Sequence, residues 1–272
     1  MKKGNFFDDS ISGGIPNKYR LFLQDMEEDP YLPYPFREDI QGPISIGVVP
    51  DTMDILGLFP EELNQHLLFG GRSGSGKTNA NRIIFTQLYP LIPCWFIDFK
   101  KDYRHFLQHV KHLLVIRWRK FKCNPLRPPP GTDPIKWLQT FADIFCMSFA
   151  LLAASKSLII DILEELYERY GVFQGSDIYP TMFELHEMLE RRLRKKGLAW
   201  DVRGYIARSM YKTTACIKIM KETFDCDDGF PLHEFIDKNV VFELDGLMDE
   251  LQTFMVNYLL AWIFTYRLEN RG

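Results

Sequence analysis

Asn64-Gln65-His66-Leu67-Leu68-Phe69-Gly70-Gly71-Arg72-Ser73-Gly74-Ser75-Gly76-Lys77-Thr78 is the stretch on which the reading of this 272-residue chain turns. Gly71–Thr78 fits the pattern G-x-x-x-x-G-K-[ST] in full. Its glycines let the backbone curl until successive N–H groups point inward as an anion nest. A helix opening near Lys77 turns its positive dipole end toward the same point. In such loops the Lys reaches the β and γ oxygens of a nucleotide, and the Thr hydroxyl completes a Mg²⁺ shell. The candidate cofactor-binding residues are therefore Gly71, Arg72, Ser73, Gly74, Ser75, Gly76, Lys77, Thr78 and Asn79. ATP and Mg²⁺ are the expected ligands, with Lys77 as catalytic cation and Thr78 as metal ligand.

The flanks have the texture that this motif demands. His66–Gly70 is an apolar run expected to form a buried strand, and Asn79–Tyr89 follows at helical spacing. Pro93–Lys100 (PCWFIDFK) reads as a second strand ending in an acid. Asp102–His112 reads as a helix and Leu113–Trp118 as a third strand. Strand–helix alternation of this kind implies a parallel sheet covered by helices. Pro128, Pro129, Pro130 and Pro134 then break the pattern as a linker. Helices are expected over Ile135–Ala150, Leu151–Tyr170, Thr181–Lys196 and Val202–Phe224. Asn239–Leu244 returns to strand character, and Met248–Glu269 is a long helix. The expected fold class is α/β, a P-loop NTPase (RecA-like) parallel sheet with an inserted all-helical subdomain. The expected divisions are an irregular arm over 1–43, the first part of the core over 44–127, the helical insertion over 128–228 and the return to the core over 229–272.

Composition narrows the function classes. Apolar residues make up 46% and charged residues 25%, and the net charge is −3, which excludes a disordered tail and a polybasic coat. The longest mostly apolar stretch, Phe254–Phe264, is too short to span a bilayer. The N-terminus shows no signal-peptide pattern, so a cytoplasmic location is expected. Cys94, Cys123, Cys146, Cys216 and Cys226 are scattered and odd in number, as reduced thiols would be. The aromatic residues are expected to serve the core. His105, His109 and His112 would share a helix face, and Glu190–Lys196 is the most basic run, read as a solvated helix end or a contact to a phosphate backbone.

A nucleotide site of this kind needs an acid at a strand end. Two positions compete: Asp98 after CWFI, and Glu243 beside Asp245 in VVFELDG. Asp98 and Glu243 are both kept as catalytic candidates. No Ser–His–Asp set, Asn-Lys-x-Asp tetrad or Leu-Ser-Gly-Gly-Gln signature occurs.

Three segments carry a resemblance. They are Asn64–Gly70 leading into the glycine loop, Trp95–Tyr103 (WFIDFKKDY) and Phe121–Leu126 (FKCNPL), with Val240–Leu247 returning to the core. In these the chain resembles the HerA/FtsK superfamily of P-loop motor ATPases, especially its HerA-like and VirB4/TraD-like branch. Lys101 stands where that superfamily usually has Gly. The resemblance implies an ATP-driven motor that moves DNA, assembled as a homo-oligomeric ring, a hexamer. It also implies that the metal-binding strand and arginine finger follow the last helix, so that the core is incomplete at the C-terminus and hydrolysis needs residues beyond this chain. The alternative is a self-contained P-loop phosphotransferase or nucleotide-gated binding module.

Overall fold

The computed structural model describes residues 37–48 and 53–270, so most of the arm expected over 1–43 lies outside the described residues. The chain divides into two compact units, one up to Ile84 and one from Phe85. The first holds a helical turn, Arg37–Ile40, and an antiparallel strand pair, β1 (Ile44–Val48) and β2 (Ile55–Leu58), with Ile44 opposite Leu58. The strand expected over Leu67–Gly70 is not formed. Residues 66–70 are irregular, and Leu68 is 93% exposed. A strand persists only where its N–H and C=O groups meet a partner, and no described strand pairs there. Helix α1 (Lys77–Leu88) opens at the end of the glycine loop.

The second unit is built on β3 (Trp95–Asp98) and β4 (Leu114–Arg117). Four helices follow: α2 (Pro134–Ser148), α3 (Ala153–Arg169), α4 (Met182–Leu193) and α5 (Trp200–Ile219). The chain then returns as β5 (Val240–Glu243) and ends in α6 (Asp249–Glu269). The strand order is β3-β5-β4, all parallel, with Trp95 and Leu114 flanking Val240 and Asp98 and Arg117 flanking Glu243. This is the α/β arrangement of P-loop NTPases. All four β5 residues are buried, as a central parallel strand requires.

Alternation along the strands fixes the two faces. Val240 and Phe242 join the larger core with Trp95, Ile97, Leu114 and Ile116. Val241 joins a smaller cluster with Phe85, Phe106, Val110 and Leu113. In the larger core, Phe141 and Phe145 of α2 and Phe149 at its C-terminal cap meet Phe254 of α6 at ring-centroid distances of 6.2, 6.0 and 5.6 Å.

Local chemistry sets the helix limits. Asp133 caps α2 by accepting from the Ile135 N–H at 3.0 Å, with Pro134 in the first turn. Thr181 and Glu184 form a reciprocal capping box at the start of α4. The helix expected through Phe224 is interrupted at Met220 and resumes only as a turn, Lys221–Phe224. The helix expected over Asp102–His112 is only a 3₁₀ turn, Arg104–Gln108, and His112 adopts φ 61°. The three histidines therefore do not line a helix. Phe106 and Val110 bury themselves, which satisfied the helical periodicity without a helix.

The helical segment is tied to the sheet at Asn124-Pro125-Leu126. Asn124 is buried, and its Nδ2 donates to the carbonyls of Pro180 and Asp227 at 3.0 and 3.2 Å. Its Oδ1 accepts from the Leu126 N–H at 3.0 Å. The carbonyl of Pro125 accepts from the Trp137 indole at 3.0 Å, and that of Leu126 accepts from the Tyr167 hydroxyl. Gly229, at φ 74°, crosses so close to Cys123 that a Cβ would lie 2.6 Å from its Cα. Asn124→Leu leaves several buried polar groups without partners, each worth about 1–3 kcal/mol. Guanidinium unfolding of this variant should show a loss of at least about 2 kcal/mol; an unchanged midpoint would mean that Asn124 does not tie the segment.

Candidate functional site

The glycine loop belongs to the first unit. Gly74 and Gly76 adopt φ 81° and 92°, where a Cβ would be strained although the space around each is open. The Ser75 N–H closes a turn on the Arg72 carbonyl at 3.2 Å, and the Ala80 N–H donates to Gly76 O at 2.9 Å as α1 begins. Among the described residues, the N–H groups of Gly74, Gly76, Lys77 and Thr78 are not paired with any backbone carbonyl. They are the open donors that a helix start leaves free. The Lys77 ammonium folds over the loop and donates to the carbonyls of Gly71 and Arg72 at 2.7 and 2.6 Å. Gly71–Gly76 are exposed, whereas Lys77 and Thr78 are half-buried. Asn79 lies exposed in the first turn of α1. The chemistry fits a polyphosphate: open N–H donors, a helix N-terminus and an ammonium converge on a stretch whose Gly74 and Gly76 face open space.

The other two candidates lie in the second unit, side by side at the C-terminal ends of β3 and β5. Asp98 is 2% exposed. Both of its oxygens are engaged: Oδ1 accepts from the Lys100 N–H and Oδ2 from the Tyr103 N–H, each at 3.0 Å. Asp98 thus folds the turn that leaves β3. Within that turn Lys101 adopts φ 61°, and its ammonium pairs with Asp245 at 2.5 Å. This left-handed geometry is the one that Gly takes without strain, which accounts for a Gly at this place in the resembling segment.

Glu243 is fully buried and accepts a two-pronged grip from Arg104, Nε to Oε1 and Nη2 to Oε2, the latter at 2.6 Å. The Arg117 Nε lies 3.9 Å from Oε2. The hydrogen bond to Glu243 raises the Arg104 pKa, with added attraction from Asp245 and Asp98. Both Glu243 oxygens are thus paired with Arg104, and Arg117 lies close by. Glu243 positions Arg104 beside the C-terminal ends of the strands, the side of open α/β sheets where ligands bind. The Arg117 side chain remains 62% exposed. Sequence reading missed both arginines. The signal was present, since a carboxylate inside VVFE must be paired to be buried.

Among solved structures, VirB4 of Thermoanaerobacter pseudethanolicus matches this chain with a TM-score of 0.61 at 16% identity, over 85% of this chain and 65% of its own. The bacterial conjugative coupling protein TrwBdeltaN70 matches with a TM-score of 0.54 at 12% identity, over 85% of this chain and 57% of its own. This chain has their fold. The likeness expected from the three segments is met at the level of fold. The chain spans less than two thirds of the length of either protein. No family model matches it, and no curated protein matches it in sequence. No helix among the described residues is long and apolar enough to cross a membrane.

If Glu243 is buried only because Arg104 compensates it, Arg104→Ala should lower the melting temperature sharply. Adding Glu243→Gln should restore part of the loss, because the uncompensated charge is then gone. Additive losses in the double variant would show that the two side chains are not coupled.

Proposed function

We propose that the chain binds ATP with Mg²⁺ through Gly71–Thr78 and Asn79, as the nucleotide-binding part of a conjugation-type motor ATPase. The observation that carries this reading is the loop itself. Gly74 and Gly76 hold a left-handed backbone directly before a helix whose second residue, Thr78, follows the folded-back Lys77. Lys77 would exchange its contacts with the carbonyls of Gly71 and Arg72 for phosphate oxygens, and Thr78 would supply the hydroxyl to Mg²⁺. The bound ion would neutralise charge on the phosphates; the loop would orient them.

In this reading residues 44–127 and 229–272 form the ATPase core and 128–228 an inserted helical subdomain. Within the second unit Asp98 shapes the turn after β3, and Glu243 pairs with Arg104. The working protein is a homo-oligomeric ring, a hexamer, acting in the cytoplasm and moving nucleic acid, DNA in the first instance. The fold shared with VirB4 and with a conjugative coupling protein supports the motor class.

Titration with a fluorescent ATP analogue in the presence of Mg²⁺ tests the site. The wild-type chain should bind saturably. Lys77→Ala should weaken binding by more than tenfold, equivalent to about 1.4 kcal/mol or more. Equal affinity in the two proteins, or no binding by a folded wild-type chain, would overturn the assignment.

A further inference from the structure

Helix α5 carries an exposed face that neither the core nor the glycine loop accounts for. Trp200 is 90% exposed and Tyr211 69%, although the aromatic residues were expected to be core. At 100° per residue Trp200, Arg203, Arg208, Tyr211 and Lys218 fall on one side of the helix, opposite the buried Ile206, Ser209, Thr213 and Cys216. The stripe runs about 27 Å from Trp200 to Lys218, at about 1.5 Å per residue.

The charges on this face are mostly cationic. Among the described residues Arg203, Arg208 and Lys218 have no ion-pair partner, and neither have Lys195 and Lys196 in the turn before α5. Two acids lie close. Asp201 stands at the helix start, and Glu250 is neutralised by the Lys212 ammonium at 2.7 and 2.8 Å.

A groove of about 560 Å³ opens along the stripe, lined by Phe149, Leu151, Ala207, Arg208, Tyr211 and Lys212, with Glu250, paired to Lys212, also on its wall. The Lys212 ammonium sits 5.9 Å from the Phe149 ring centre and 5.7 Å from that of Tyr211. Ala150, which also lines the groove, adopts φ 51°, a strained conformation for a non-glycine residue and one that clusters at functional sites.

The geometry points to a binding face for single-stranded nucleic acid, with a base stacked on Tyr211, Arg208 on the adjoining phosphate and Trp200 as a second platform. Flat aromatic groups spaced among unpaired cations are what an unpaired strand recognises: rings meet bases, and guanidinium and ammonium groups meet the backbone. A duplex hides its bases and would use only the charges. The inference deepens the motor reading and rests on it only for the class of polymer; the face itself is argued from α5.

Fluorescence anisotropy of a labelled 20-nucleotide oligothymidine, titrated with the whole chain at two salt concentrations, tests the proposal. The wild type should bind, and more weakly at high salt. Tyr211→Ala should weaken binding about tenfold, while Tyr211→Phe should keep it. Arg208→Glu should weaken it and flatten the salt dependence. Lys77→Ala should leave oligonucleotide binding unchanged, so failure of the nucleotide site and failure of this face read out separately. Both α5 side chains are exposed, so melting temperatures should match the wild type and certify folding. No binding by folded wild type, equal binding by Tyr211→Ala and Arg208→Glu, or equal competition by an unlabelled duplex would each overturn the proposal.

Discussion

The second unit depends on one constraint: β3 and β4 never pair with each other, and each pairs only with β5. The sheet therefore cannot close until the chain has passed through α2–α5 and come back. Parallel strands need a long crossover, and here the whole helical segment is that crossover. Its fold and the sheet's fold are one event, because Phe242 and Val240 lie in the same core as Trp137, Phe141 and Phe254. Contacts of such sequence separation are costly in loop-closure entropy and slow to form.

Polar side chains complete what the apolar pairing begins. Asn124 satisfies buried backbone groups where the helical segment leaves and rejoins the sheet. Asp98 and Glu243, neighbours in the β3–β5 register, serve two different ends of one task. The first ties the turn that carries Arg104, and the second grips Arg104 itself. The Glu243 carboxylate thereby holds a guanidinium group at the C-terminal end of the central strand.

Much of this was legible in the sequence, for identifiable reasons. VVFE announces a fully buried strand because four residues in succession avoid the solvent-facing alternation. Thr181 with Glu184, and Asp133 with Pro134, mark helix starts through chemistry confined to one turn. The glycine loop is readable because backbone conformation there is set by residue type. What escaped needed a partner elsewhere in the chain. Leu67–Gly70 is apolar enough for a strand, but a strand is a property of two segments. The spacing of Phe106, Val110 and Leu113 matches a helix, yet these residues turn inward from a 3₁₀ turn and a loop. Trp200 and Tyr211 have the composition of core residues, and only the packing of α5 shows that they face outward.

The central claim is that Gly71–Thr78 is a working phosphate cradle on this fold. The most direct test is to follow the backbone amide resonances of the chain by heteronuclear NMR while MgATP is added. The account predicts large, saturable shifts of the Gly74, Gly76, Lys77 and Thr78 amides, the donors left open at the start of α1. Saturation with no movement of these amides, or shifts confined to other parts of the chain, would contradict it.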